Sequence, residues 1–187
     1  METLLSVLIG IGLAAACGFR VFVPFLVVSI AAMSGHLELS GGFEWLATWY
    51  ALTAFAVASA LEIASYWVPW LDNMLDTIST PAAIIAGTIV TASVVTDMSP
   101  FLRWSLAVIA GVGVAGVVQS ATVALRAAST ATTGGIANPV VSTAELGGSV
   151  VASVLSIAAP VIAVSLVALT VFIIVTRIRR VARLRRC

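Results

Sequence analysis

The chain has 187 residues, of which 61% are hydrophobic and 9% charged, and its mean hydropathy is +1.17. A water-soluble domain carries roughly 25% charged residues, so this composition excludes a chain that covers its whole surface with water-facing groups and points to a bilayer instead. The formal net charge of +1 hides an uneven distribution: every basic residue is arginine, and Arg177, Arg179, Arg180, Arg183, Arg185 and Arg186 stand together after the last apolar stretch.

Spanning the hydrocarbon takes about 20 apolar residues in a helix. The first such stretch runs from about Thr3 to Met33, with Arg20 and Pro24 inside it. No basic flank precedes it and apolar stretches recur along the chain, so a cleaved leader does not account for the composition. A polar turn follows from Ser34 to Glu38, and Gly41-Gly42 mark its end. The second span runs from about Glu44 to Val68, with Trp45, Trp49 and Tyr50 at one end and Tyr66, Trp67 and Trp70 at the other, the pattern of two interfacial belts. An acidic amphipathic connection, Trp70–Thr80, leads to a third span over about Pro81–Thr96, capped by Ser79 or Thr80. Asp97-Met98-Ser99-Pro100 predicts a tight turn. The fourth helix covers about Phe101–Ala128, and a polar loop of small residues, Ser129–Thr143, separates it from the last, about Ala144–Thr176. The start of that last helix, Ser142-Thr143-Ala144-Glu145, fits a capping box, and Pro160 interrupts it.

The fold class is therefore an all-α integral membrane protein of about five transmembrane helices, or six where Pro160 divides the last. Residues 1–176 form a single transmembrane helical domain and residues 177–187 an Arg-rich tail. The positive-inside rule keeps that tail cytoplasmic. Counting back through five spans puts the N-terminus outside, the Asp97–Arg103 turn inside, and the Asp72/Asp76 segment outside. The stretch around Gly10 and Gly12 matches the stretch around Gly111 and Gly113, which suggests an inverted repeat of a three-helix unit (1–97) and a two-helix unit (101–176). Gly and Ala on the first and fourth helices favour a close crossing of the two.

Arg20 is the most informative residue, because a charge at bilayer depth costs from about 2.5 to more than 10 kcal/mol. Glu62 is its natural partner. Asp72 and Asp76, four apart, share a helix face and form a mouth that attracts cations or a solvated acidic edge. Arg126 is a candidate counter-charge, Glu145 a cap residue or part of the site, and Asn138-Pro139 a cavity-lining break. Enzyme signals are weak. His36 is the single histidine and has no zinc-ligand spacing, Cys17 and Cys187 form no metal or redox pair, no nucleophile elbow occurs, and without lysine there is no phosphate loop. No cofactor, metal or nucleic-acid partner is expected.

Glu62-x6-Pro69-x2-Asp72-x3-Asp76, with Gly18-x-Arg20 before it and Asn138-Pro139-x2-Ser142-x2-Glu145 after it, resembles the pattern of a bacterial integral-membrane family whose domain has no known function. The likeness covers most of residues 3–175. The family pattern often has an acid where this chain has Tyr66 and an arginine where it has Thr80. The resemblance implies that Glu62, Asp72, Asp76 and Glu145 belong to one recurring set, and it implies no activity. The expectation is a small transporter or channel of the bacterial inner membrane, for an ion or small solute, built as a homo-dimer because five helices bury little around a path. The alternative is a structural or accessory protein that binds a membrane partner or, through its arginine tail, anionic lipid.

Overall fold

Pro24 sets the first departure from the expected spans. In a continuous helix its ring would clash with the carbonyl of Arg20, four residues back, and it has no N–H to donate there. The structure is a computed structural model that describes residues 2–65 and 69–184; the side chains of 69–77, 171, 174, 175 and 177–184 lie outside the described set. In it the chain breaks at Arg20–Val21. The helices are α1 (Glu2–Phe19), α2 (Phe22–Met33), α3 (Trp49–Ser65) after a 3-10 turn at Glu44–Ala47, α4 (Pro69–Val94), α5 (Pro100–Ala110), a π turn at Gly111–Ala115, α6 (Gly116–Thr133), α7 (Asn138–Ala158) and α8 (Pro160–Leu184).

At Arg20–Val21 the chain turns back rather than continuing. The Thr91 hydroxyl donates to the Gly10 carbonyl of α1 at 3.0 Å. The Ser40 amide, soon after α2, donates to the Ser93 carbonyl at 2.7 Å. Thr91 and Ser93 are neighbours in α4, so the ends of α1 and α2 remote from Arg20 lie at the same end of the bundle. The expected single span over 3–33 is therefore two antiparallel pieces. The N-terminus shares a side with the Ser34–Gly42 segment, against the expectation that one uninterrupted helix separates them.

Two other boundaries differ. The acidic connection expected over Trp70–Thr80 is helical, and α4 starts at Pro69 and passes through Pro81. The polar loop expected over Ser129–Thr143 is mostly helix: Thr132, Thr133 and Thr143 turn their hydroxyls back onto carbonyls four residues earlier, so their polar groups find partners within the helix. Only the turn after Thr133 interrupts it, where Gly134 and Gly135 take φ of 63° and 89°. The Asp97 turn forms as read, with Asp97 at φ 56° and the Ser99 hydroxyl accepting the Leu102 amide ahead of Pro100. The last helix divides at Ala159, just before Pro160.

α1 packs against α4, α6, α7, α8 and the π turn; its residues Leu13 to Cys17 are fully buried. A Cβ on Gly18 would stand 2.7 Å from the Ala115 carbonyl and 2.6 Å from Val118 Cβ, so the close crossing expected between the first helix and the Phe101–Ala128 rod is present. Many large apolar side chains point outward, with Leu4, Ile85, Phe101, Ile109, Val151 and Leu166 all exposed, whereas buried positions include Ser29, Ser93, Ser149, Ser153 and Ser156 beside the apolar core. A surface of this kind suits lipid rather than water. Glu2–Phe19, Pro100–Thr133 and Asn138–Ala158 are long and apolar enough to cross a membrane, and Phe22–Met33, Trp49–Ser65, Ile78–Val94 and Pro160–Thr170 are shorter apolar helices. The expected belt residues Tyr66, Trp67 and Trp70 fall outside the described side chains.

Candidate functional site

Ser142, Glu145, Ser149, Ser153 and Ser156 recur along α7 every three or four residues, which places them on one helix face. All five are buried. That face meets α1, where the Ser149 hydroxyl donates to the Ala16 carbonyl at 3.1 Å and a Cβ on Gly12 would lie 2.9 Å from Ser156 Cβ. Gln119, Thr122 and Arg126 form a second buried polar stripe on α6, and the Gln119 amide donates to the Ser79 hydroxyl on α4 at 2.8 Å.

The charges gather where α1 gives way to α2. Arg20, only 1% exposed, donates through Nη2 to the Ser142 carbonyl at 2.7 Å and to the Ser142 hydroxyl. The same Nη2 lies 3.7 Å from Glu145 Oε2. Arg126 grips Glu145 with both ends of its guanidinium: Nε donates to Oε1 at 3.0 Å and Nη2 donates to Oε2. A bidentate Arg–carboxylate pair is among the stronger and more directional of hydrogen-bonded contacts. One carboxylate on α7 thus ties α6 to the α1–α2 break.

Glu62 serves the break from the other side. Its carboxylate accepts the amides of Val21 at 2.9 Å and Phe22 at 3.2 Å. In a continuous helix those amides would donate to Cys17 and Gly18. At a helix start they have no backbone partner, and the positive end of the α2 dipole favours a carboxylate. Glu62 also lies within electrostatic reach of Arg20 and Arg126. Replacing Glu62 with alanine strips the cap from α2, and the expected loss is about 1–2 kcal/mol of stability, at the upper end of measured cap deletions. Thermal unfolding in detergent reads it, and a melting curve identical to wild type would refute the capping role.

The family model described as a domain of unknown function, DUF4126, matches residues 7–180. The chain belongs to that family. No curated protein matches it, and no solved structure does.

For this DUF4126 chain, the expected Arg20–Glu62 pair is corrected. Among the described residues the ion pair of Arg20 is with Glu145, because the break turns Arg20 toward α7 while Glu62 is held by the amides that the break releases. Glu145 is not a cap residue: α7 begins at Asn138, two turns earlier, so Glu145 lies inside the helix wall. Arg126 pairs with Glu145; the expectation that it is the counter-charge of Asp72 and Asp76 falls on side chains outside the described set. Asn138 stands half-buried at the start of α7 and donates to the Thr130 hydroxyl at 3.0 Å, tying α7 to α6 away from the cluster. Asp72 and Asp76 lie in the first turns of α4, and their side chains, like those of Arg177, Arg179, Arg180 and Arg183, are outside the described set; Arg185 and Arg186 lie beyond it altogether. The serine stripe of α7 was not singled out from the sequence, although its three-and-four spacing was there to be read.

Proposed function

We propose that this protein is a small membrane transporter or channel for an ion or small solute, with Arg20, Glu145 and Arg126 as its gate. The observation that carries the reading is one buried carboxylate held by two buried arginines from separate segments, at a break between helices. A bundle that needs only shape does not need such a cluster, since apolar side chains of similar volume often replace a buried ion pair without loss of stability. Ionisable groups inside a membrane bundle commonly mark a transport path, and broken helices commonly form the sites of transporters. The buried state described here corresponds to the closed gate.

The reversal at Arg20 favours six membrane traverses over five. α1, α2, α3 and α4 alternate in direction, the α5–α6 rod returns, and α7 with α8 makes one divided traverse. Both termini then lie on one side, and the arginine tail assigns that side to the cytoplasm of a bacterial inner membrane. Flux through proteoliposomes tests the function. The wild-type protein should pass at least one small ion or solute faster than protein-free liposomes, and Glu145→Gln should abolish that flux in a folded protein. Unchanged flux in Glu145→Gln, or no flux of any solute in wild type, would overturn the reading.

A second reading is favoured by the 1% exposure of Arg20, which suits a clamp as well as a closed gate. In it the protein is structural, and its arginine tail binds anionic lipid at about 1 kcal/mol per residue. Deleting residues 177–187 separates the two, because transport survives that deletion and lipid docking does not.

A further inference from the structure

We infer that the seam between α1 and α7 is a proton path that ends on the Glu145 carboxylate, which makes H+ the coupling ion of the transport reading on which this inference rests. Ser153 is the starting point. It is fully buried, and its hydroxyl has no hydrogen-bond partner among the described residues. It lies in the stripe between Ser149, bonded to the Ala16 carbonyl at 3.1 Å, and Ser156, bonded to the Ala152 carbonyl at 2.5 Å. A buried hydroxyl of this kind takes an ordered water when its site is polar.

Hydroxyls three or four residues apart on a helix are about 5–6 Å from one another at Cβ, a gap that one bridging water closes. Each serine hydroxyl can donate and accept, so a chain of serine, water and serine can relay a proton in either direction. α1 presents Gly12 and Ala16 to the seam, and Gly12 lies close against the Ser156 side chain, so the polar groups along it are serine hydroxyls rather than the walls of an open aqueous pore. The step balances simply: a hydronium at the far end gives up one proton, each oxygen takes one O–H proton and releases another to the next, and the last O–H forms on Glu145. Nothing is oxidised or reduced.

The proton and the arginines then compete for one carboxylate. Glu145 faces Arg20 at the break and Arg126 on α6, and Glu62 on α3 senses both arginines. Asp72 and Asp76 of α4 are the other acids on a neighbouring helix, with side chains outside the described set. A neutral Glu145 loses its ion pairs with both guanidinium groups, and restoring those pairs expels the proton. That exclusivity is what couples a proton to a gate.

Proteoliposomes carrying a pH-sensitive dye, with membrane voltage clamped by potassium and valinomycin, test this. Wild type should dissipate an imposed pH gradient faster than protein-free liposomes. Ser153→Leu should fall to the protein-free rate, and Ser165→Leu, on the exposed face of α8, should not change it. Should Ser153→Leu fail to fold, Ser153→Cys gives a second measure: a small neutral thiol reagent in water should label position 153, as located by peptide mass spectrometry. Wild-type proton flux that persists in Ser153→Leu, or an unlabelled position 153, overturns the seam and leaves the gate standing. Flux of another ion without protons overturns the choice of H+ alone. No flux of any ion overturns the transport reading and the proton path together.

Discussion

Replacing Glu145 with alanine should lower stability by about 3–5 kcal/mol, the cost of removing one partner from a buried ion pair. The cost falls on the partners rather than on the glutamate. Arg126 loses both hydrogen bonds to the carboxylate, Arg20 loses its ion pair, and neither guanidinium is placed where water can replace them, with Arg20 at 1% and Arg126 at 6% exposure. Because the carboxylate joins α7 to α6 and to the α1–α2 break, the damage spreads across three contacts. Glu145→Gln should cost less, since an amide oxygen still accepts hydrogen bonds while the charge is lost. Thermal unfolding and gel filtration in detergent measure both. A Glu145→Ala protein as stable as wild type would show that the cluster is not a structural keystone.

Gly111→Ala should be the most damaging single-methyl change in the chain, costing about 1–3 kcal/mol or more, as overpacking does. A Cβ there would collide with the Thr88 hydroxyl and stand 2.6 Å from the Ile84 carbonyl and 2.8 Å from the Thr88 amide. Two of these three obstacles are backbone atoms of α4, which cannot rotate away. Gly113, two residues on, provides the control. Nothing lies within 4 Å of its added Cβ, and alanine is worth up to about 1 kcal/mol over glycine in a helix, so Gly113→Ala should be neutral or stabilising. Equal melting temperatures for the two variants would contradict the packing of the π turn on α4.

Several features were legible in the sequence for physical reasons. The sparse charge demanded helices with apolar outer faces. A lone arginine at depth demanded partners, and Arg20 has them. Pro160 and the Asp97 turn act through local backbone geometry, which needs no knowledge of neighbours. The partner of Arg20 was not legible, because Ser142 lies 122 residues away and the pairing depends on which helix packs against α1. The start of α7 was hidden by chemistry. Ser142-Thr143-Ala144-Glu145 imitates a helix start, and a run of Ser, Thr and Gly imitates a loop, yet in an apolar setting those hydroxyls satisfy themselves against their own helix. Pro24 did carry the break at Arg20, four residues before it, and the antiparallel course of α2 follows from it.

The short α2 has a consequence for how the chain is made. At 1.5 Å per residue its 12 residues reach about 18 Å, well short of a bilayer's hydrocarbon thickness of about 30 Å. Its own residues do not reach across the hydrocarbon, so its traverse is completed by the flanking segments and the helices packed around it. Its capping carboxylate, Glu62, is made 40 residues after Phe22, and the Ser142 that receives Arg20 follows Arg20 by 122 residues. At ribosomal speed that second interval is roughly ten seconds. During that time Arg20 is without its contact to Ser142. The α1–α2 hairpin is thus synthesised well before the segments that lock it, and its fixing waits on helices made later.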